Sequence, residues 1–353
     1  MRDTAEIIQR HLAFWQRGPS DQPLGSCWIG SRIPAETYHA ARTLPIGRVN
    51  PQHIDMAAFR ADYDRLHDMH ESVGDDAFWA AAAYYAIPWN EAILGCPVYY
   101  SGESFWVEPV SRSRLESLDF PGPGGDAWLG KLLEFTADLV RLADGRYPVT
   151  PTLMRGSSDM AAALRGHVEM VYDMYDHPEE SQHLLEKLTD FWIDIARRQL
   201  ALIPPFETGY VCNFYGIWAP DHVVCLQEDT ASSLSPMLFQ RYLLSGEQQI
   251  TAAFPYTVMH IHSPSIWIVD QLLAVESLSA IEINYDDNGP HLPELLHWLR
   301  RIQEEKPLVI RGAFAAEEIA YIKRELSPKG LALNMVAHSV AEAKSLIAGL
   351  RED

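Results

Sequence analysis

Val258-Met259-His260-Ile261-His262, followed at once by Ser263-Pro264, is the stretch on which the fold turns. A strand repeats its side-chain direction every second residue, so both imidazoles of this apolar, β-branched run project from one face, and Pro264 ends the strand just after them. From here to its end the chain alternates strand-like and helix-like segments. Ala280-Ile281-Glu282-Ile283-Asn284-Tyr285-Asp286 reads as a strand, and Leu292 to Ile302 as an amphipathic helix. Pro307 to Ala313 and Gly330 to Val336 repeat the strand signal, while Ala315 to Leu326 and Ser339 to Ala348 repeat the helical one. Four consecutive βα units predict a parallel sheet with helices outside it, either a barrel or a doubly wound sheet. In a (β/α)8 TIM barrel the active site lies at the C-terminal ends of the strands, the kind of position that His260 and His262 occupy.

The length of 353 residues suits one such barrel with an extension, and 47% hydrophobic residues can bury a large core. No apolar stretch reaches the roughly 20 residues that span a bilayer, and Met1-Arg2-Asp3-Thr4-Ala5-Glu6 lacks the regions of a signal peptide, so a cytoplasmic protein is expected. Cys27, Cys96, Cys212 and Cys225 are far apart without a CxxC, which argues against a disulfide framework or a zinc ribbon. A formal charge of −20 without a basic run would repel nucleic acid and anionic lipid. It also works against a substrate with many carboxylates unless arginines cluster locally.

Upstream, no repeat or linker divides the chain, which reads as one domain over residues 1–353. Thr4 to Phe14 and Met56 to Met69 have helical patterns, so residues 1–75 are expected to form an N-terminal helical cap. Val98 to Val107 looks like a hairpin around Ser101-Gly102, and Phe120 to Asp126 like a turn that closes a surface excursion. His177-Pro178-Glu179-Glu180 opens a long helix that ends by Pro204. Gly209 to Tyr215 is a strand candidate, and Ser235-Pro236 opens another helix, which puts Glu228 and Asp229 on a strand-to-helix loop.

Alternation along the C-terminal strands turns His260 and His262, then Glu282, Asn284 and Asp286, then Arg311, then Asn334, inward from otherwise apolar runs. Burying so many polar groups is costly unless they pair with one another, a metal, water or a ligand, so a pocket is expected. The two histidines fit metal ligation, proton transfer or plain hydrogen bonding. Glu282 or Asp286 is the nearest third ligand, and only one of Asp286 and Asp287 should face the mouth. Arg311 fits an ion pair with Glu282, or a substrate carboxylate or phosphate. Tyr215 and Trp218 could wall an apolar ligand, His338 follows the last strand at the mouth, and Cys212 reads as a small buried residue.

Several segments resemble the uroporphyrinogen decarboxylase superfamily, which includes porphyrinogen decarboxylases and corrinoid-dependent methyltransferases. They are Arg155-Gly156-Ser157-Ser158-Asp159-Met160-Ala161, the helix start at Asp176 to Glu180, the block from Glu228 to Phe239 with its Leu234-Ser235-Pro236, and the His260 strand with Leu278 to Asn284. The likeness covers residues 140–350 best and implies a (β/α)8 barrel with a deep polar mouth. Its decarboxylases carry an N-terminal Arg-Gln-x-Gly-Arg segment where this chain has Gly30-Ser31-Arg32-Ile33-Pro34, and a central aspartate where it has Ala86-Ile87-Pro88. The methyltransferases carry a His-x-Cys pair and a later cysteine for zinc; here the pair is His260-Ile261-His262, and no cysteine follows Cys225.

The resemblance therefore implies an enzyme of the methyltransferase-related branch that transfers a methyl or similar group from a small organic substrate. His260 and His262 would act as zinc ligands or as acid and base, with Asp229 and Glu282 orienting them. Arg311, Asn284, Asn334, Asp286, Tyr215, Trp218 and His338 would contact substrate, and a corrinoid would arrive only on a partner protein. The two alternatives are a porphyrinogen-type decarboxylase using other arginines, which would be a carboxy-lyase of the haem pathway, and a non-catalytic barrel that binds a ligand or docks a corrinoid protein. Barrels of this kind often pair as homodimers, and no stretch here marks an interface.

Overall fold

The computed structural model describes residues 3–31, 34–110, 121–122 and 124–352. Numbered along the chain, its strands are β1 (Leu24–Ile29), β2 (Gly47–Val49), β3 (Val98–Tyr100), β4 (Phe105–Val107), β5 (Tyr210–Val211), β6 (Trp218–Ala219), β7 (Val223–Gln227), β8 (Tyr256–His262), β9 (Ala280–Asn284), β10 (Leu308–Gly312) and β11 (Leu331–Ala337). The main sheet has six strands in the order β1-β11-β10-β9-β8-β7, and every pair in it is parallel. The four strands expected around and after His260 form with their ends within two residues of the sequence reading. Helices Leu292–Glu305, Ala316–Glu325 and Val340–Arg351 follow them, and each buries an apolar stripe. β2, β3 and β4 make a small antiparallel sheet that includes the expected hairpin.

Six strands stand where eight were expected, and the edge of β1 shows a physical reason. Its outward N–H groups are taken by side chains: Gly25 donates to Asp76 Oδ2 at 2.8 Å, Cys27 to Asp75 Oδ2 at 2.8 Å, and Ile29 to His70 Nε2 at 3.1 Å. Alternate residues of an edge strand present the groups that a neighbouring strand would bind, so these side chains stand in for a ladder. Beyond them, two extended runs meet in a parallel bridge between Ala81 and Val149, with Ala81 N donating to Pro148 O and Thr150 N to Ala81 O, each at 2.9 Å.

Two further expectations change. Residues 1–75 do contain the helices Thr4–Trp15 and Met56–Glu71, but β1 from the same region belongs to the main sheet, so they are more than a cap. Of the strand expected over Gly209 to Tyr215, Tyr210–Val211 forms as β5, which pairs antiparallel with β6. Phe214 and Gly216 adopt left-handed backbone (φ +63° and +66°), and Asn213 Oδ1 accepts the Phe214 N–H at 2.9 Å, which turns the chain out of an extended path. Part of the Phe120 to Asp126 turn lies outside the described residues. No described helix is long and apolar enough to cross a membrane.

Register assembles a polar tier within the sheet. Ser26 is level with Asn334, Asn334 with Arg311, Arg311 with Asn284, and Asn284 with His262. One step deeper, Gln227, His260 and Glu282 are level across β7, β8 and β9. Between these positions, on the opposite face of the sheet, the strands bury apolar side chains such as Met259, Ile261, Ile281, Ile283 and Leu333.

Candidate functional site

A cavity of about 420 Å³ opens at the C-terminal ends of the strands, the size of a small-molecule site. His260, His262, Asp229, Asn284, Asp286, Arg311 and Tyr215 line it, so most of the sequence candidates meet in one place. Both Asp286 and Asp287 line it, against the expectation of one. The cause is that β9 ends at Asn284, and strand alternation no longer governs the next residues.

Each histidine is fixed through Nδ1. His260 Nδ1 hydrogen bonds with Glu282 Oε2, which also accepts the Tyr215 hydroxyl at 3.1 Å. Glu282 is fully buried, and its Oε1 has no hydrogen-bond partner among the described residues. His262 Nδ1 hydrogen bonds with Asp286 Oδ1 at 2.8 Å, and that carboxylate is itself held by Asn284 Nδ2 at 2.7 Å and the Ser263 N–H at 3.1 Å. The Nε2 atoms then face the same oxygen, Asp229 Oδ1, at 3.9 Å from His260 and 3.7 Å from His262. These separations are too long for hydrogen bonds. One donor atom from each of the three residues lies within 4.8 Å of the others, as ligands of one small cation would. Asp229, rather than Glu282 or Asp286, therefore completes the cluster, while the other two acids sit behind the imidazoles. That is the arrangement in which outer carboxylates orient metal-binding histidines.

The electrostatics follow from this packing. Burial opposes charge on His260, but the Glu282 carboxylate, its hydrogen bond and Asp229 together raise the imidazole to about 9. The Asp286 hydrogen bond raises His262 against partial burial. Burial works against the Asp286 charge, yet His262 and the Ser263 and Asn284 donors keep that carboxyl below its ordinary range. Cys225, which also lines the cavity, is lowered by its hydrogen bond with Cys212, against burial and with help from His260.

Asp229 is held from behind. Its N–H donates to Asp159 Oδ2 at 3.2 Å, Thr230 N donates to Asp159 Oδ1 at 2.7 Å, and Gln227 Nε2 donates to Asp229 Oδ2 at 3.1 Å. The adjacent Glu228 points to the start of an earlier helix. It is buried and accepts the N–H groups of Ser157 and Ser158 at 2.7 and 2.9 Å, so it caps the helix Ser157–Arg165. Burial and the charges of Glu228 and Asp229 raise Asp159 to about 7.

Other candidates lie elsewhere. Arg311 Nε donates to Asn334 Oδ1 at 3.1 Å in place of the expected ion pair with Glu282, because Glu282 is engaged one tier deeper by His260 and Tyr215. Asn334 is buried and bonds Ser26 Oγ at 2.8 Å, so it supports Arg311 from outside the cavity lining. Trp218 sits on the β5–β6 hairpin with its Nε1 on the Phe206 carbonyl, and His338 is an exposed residue whose N–H binds Glu342; neither lines the cavity. Sequence reading missed Trp28, Tyr85, Phe214, Tyr285 and Arg155 in the wall. None of them carried a usable signal: Trp28 lies on β1, whose partner β11 is distant in the chain, and the others sit on loops or irregular segments.

Neither a protein-family model nor a curated protein matches this sequence. Among solved structures, a methyltransferase from Methanosarcina mazei has the same fold, with a TM-score of 0.65 at 17% sequence identity over 98% of this chain and 98% of that one.

Proposed function

We propose that this chain is a methyl-transfer enzyme of the uroporphyrinogen decarboxylase superfamily, in the branch related to corrinoid methyltransferases, with one zinc ion held by His260, His262 and Asp229. The observation that carries this reading is the convergence of both Nε2 atoms on Asp229 Oδ1 while a carboxylate holds each Nδ1. Two imidazoles and one carboxylate suit zinc, and they make it more Lewis-acidic than thiolates would. Zinc bound there would polarise the oxygen or nitrogen that carries the methyl group. The fold likeness to a methyltransferase supports the same branch. In this reading the extended runs beside β1 and β7 supply the two remaining staves of an eight-stranded barrel, and a corrinoid on a partner protein accepts the methyl group.

The chain's own residues have separable tasks. Glu282 and Asp286 fix the tautomer and direction of the imidazoles, Asp159 and Gln227 fix Asp229, and the cavity wall positions a small organic substrate. A porphyrinogen fits poorly, because Arg155 and Arg311 are the arginines in the described lining, and Arg155 is already paired with buried Glu91 at 3.1 Å. Metal analysis of protein purified without chelator tests the reading. One zinc per chain is expected, lost in a His260→Ala/His262→Ala variant, with no porphyrinogen turnover above background. Zinc retained by the double variant, or porphyrinogen decarboxylation by the wild type, overturns it.

A further inference from the structure

We propose that the cavity takes a single-ring aromatic anion, its carboxylate on Arg311 and its methyl-bearing heteroatom toward Asp229, His260 and His262. The proposal names the substrate class of the methyl-transfer site above and rests on that reading for the direction in which the substrate lies.

Three observations carry it. The first is the state of Arg311. Its Nε is used on Asn334, no carboxylate among the described residues forms an ion pair with it, and it lines the cavity. Its guanidinium carbon lies 5.9 Å from the Trp28 ring centre and 5.8 Å from that of Phe214. The planar group is thus held by two rings and one amide, with its remaining N–H donors free for an oxyanion. In a chain of net charge −20, with Asp229, Asp286 and Asp287 in the same lining, a bare cation there marks where a ligand's negative charge would sit.

The second is the wall. Trp28, Tyr85 and Phe214 pack edge to face or tilted at 5.3 to 5.9 Å between centres, and all three line the cavity while only partly buried. Phe214 keeps its ring there from left-handed backbone, a conformation that a bulky residue adopts at a cost of about 1 kcal/mol or more. A strained aromatic residue facing a cavity is explained by a flat apolar ligand for it to contact.

The third is the span. His262, Asn284 and Arg311 are level on three adjacent strands. Neighbouring strands are spaced at about 4.8 Å, so the Arg311 and His262 backbones are about 10 Å apart. The cavity of about 420 Å³ that both residues line fits one ring within that span.

Calorimetric titration of the wild-type protein with 4-methoxybenzoate, 4-methoxybenzamide and methoxyacetate tests this, with zinc content measured on the same samples. 4-Methoxybenzoate should bind at least about tenfold more tightly than either other probe. Arg311→Gln should remove that preference over the amide, and Arg311→Lys should restore part of it. Phe214→Ala should weaken the benzoate more than methoxyacetate, because both carboxylates meet the Arg311 that this ring helps to hold and only the benzoate also loses a ring contact. Equal binding of acid and amide by the wild type, or of benzoate and methoxyacetate, overturns the proposal without needing any variant to fold. If zinc binds at His260 and His262 but the aryl anion does not, the substrate class fails and the methyl-transfer reading stands. If the anion binds as described to protein that takes up no zinc, that reading fails and the pocket's chemistry stands.

Discussion

Glu282 places one carboxylate oxygen against Nδ1 of His260 and the Tyr215 hydroxyl together, from a position with no solvent exposure. A carboxylate there accepts from Nδ1–H, so Nε2, which faces Asp229, is the nitrogen that would give up its proton when a metal binds. In a Glu282→Gln variant the amide can present N–H to Nδ1 instead, which moves the imidazole proton to Nε2 and opposes ligation. Zinc affinity should fall about 10- to 100-fold, read by competition with a chromophoric chelator. An unchanged affinity would show that Glu282 does not set the tautomer of His260.

Gly156 tests how the loop carrying Asp229 is held. A Cβ at this position would lie 2.1 Å from the Gln227 carbonyl oxygen, which is backbone at the end of β7, and 2.3 Å from the Glu228 carboxyl carbon, which moves only by giving up its hydrogen bonds with Ser157 and Ser158. Gly156→Ala should cost about 3 kcal/mol of stability through overpacking and also weaken zinc binding through Asp229. Urea denaturation and the chelator competition check the two effects, and a change of less than 1 kcal/mol would mean that the helix start and the β7 loop are not rigidly packed together.

His70 sets a pH dependence remote from Asp229, His260 and His262. It accepts the Ile29 N–H at Nε2 and donates Nδ1–H to the Leu66 carbonyl at 2.8 Å, so the fold uses its neutral form. Burial lowers it from 6.5 to about 4, with a further push from His67. The unfolded chain then binds more protons between these values, so the stability contributed is complete above pH 6.5 and is lost as pH falls toward 4. Between pH 7.5 and pH 5 the wild type should lose about 2 kcal/mol more than His70→Gln, measured by urea unfolding at both values. Parallel losses in the two proteins would remove His70 as the cause.

The C-terminal half of the fold was legible because each of its strands is bounded by a turn and followed by an amphipathic helix. Val258 to His262 and Leu331 to Ala337 needed only local alternation to be placed. The first strand was not legible: Leu24–Ile29 lies among helices, and its partner is more than 300 residues away. The two runs around Ala81 and Val149 carry side-chain and bridge contacts in place of a ladder, a pattern that propensity does not report. At the site, Glu282 and the histidines were legible by strand period. Asp229 as the residue both imidazoles face was not, since a loop residue's direction depends on Asp159, 70 positions earlier in the chain. Trp218 misled because Phe214 and Gly216 turn the chain back before it.

Phe214 gives the last test, by separating its ring from its backbone. At φ +63° an alanine keeps the left-handed strain that glycine does not have, so Phe214→Gly should be more stable than Phe214→Ala by about 1 kcal/mol, although glycine normally loses in the unfolded-chain entropy. Both variants remove the same ring contacts with Trp28, Tyr85 and Arg311, so the difference between them isolates the backbone. Urea midpoints of the pair decide it. If alanine is the more stable, the chain relaxes out of this conformation once the ring is gone. The turn would then be imposed by the ring's packing and not by the Asn213 and Gly216 backbone on either side of it.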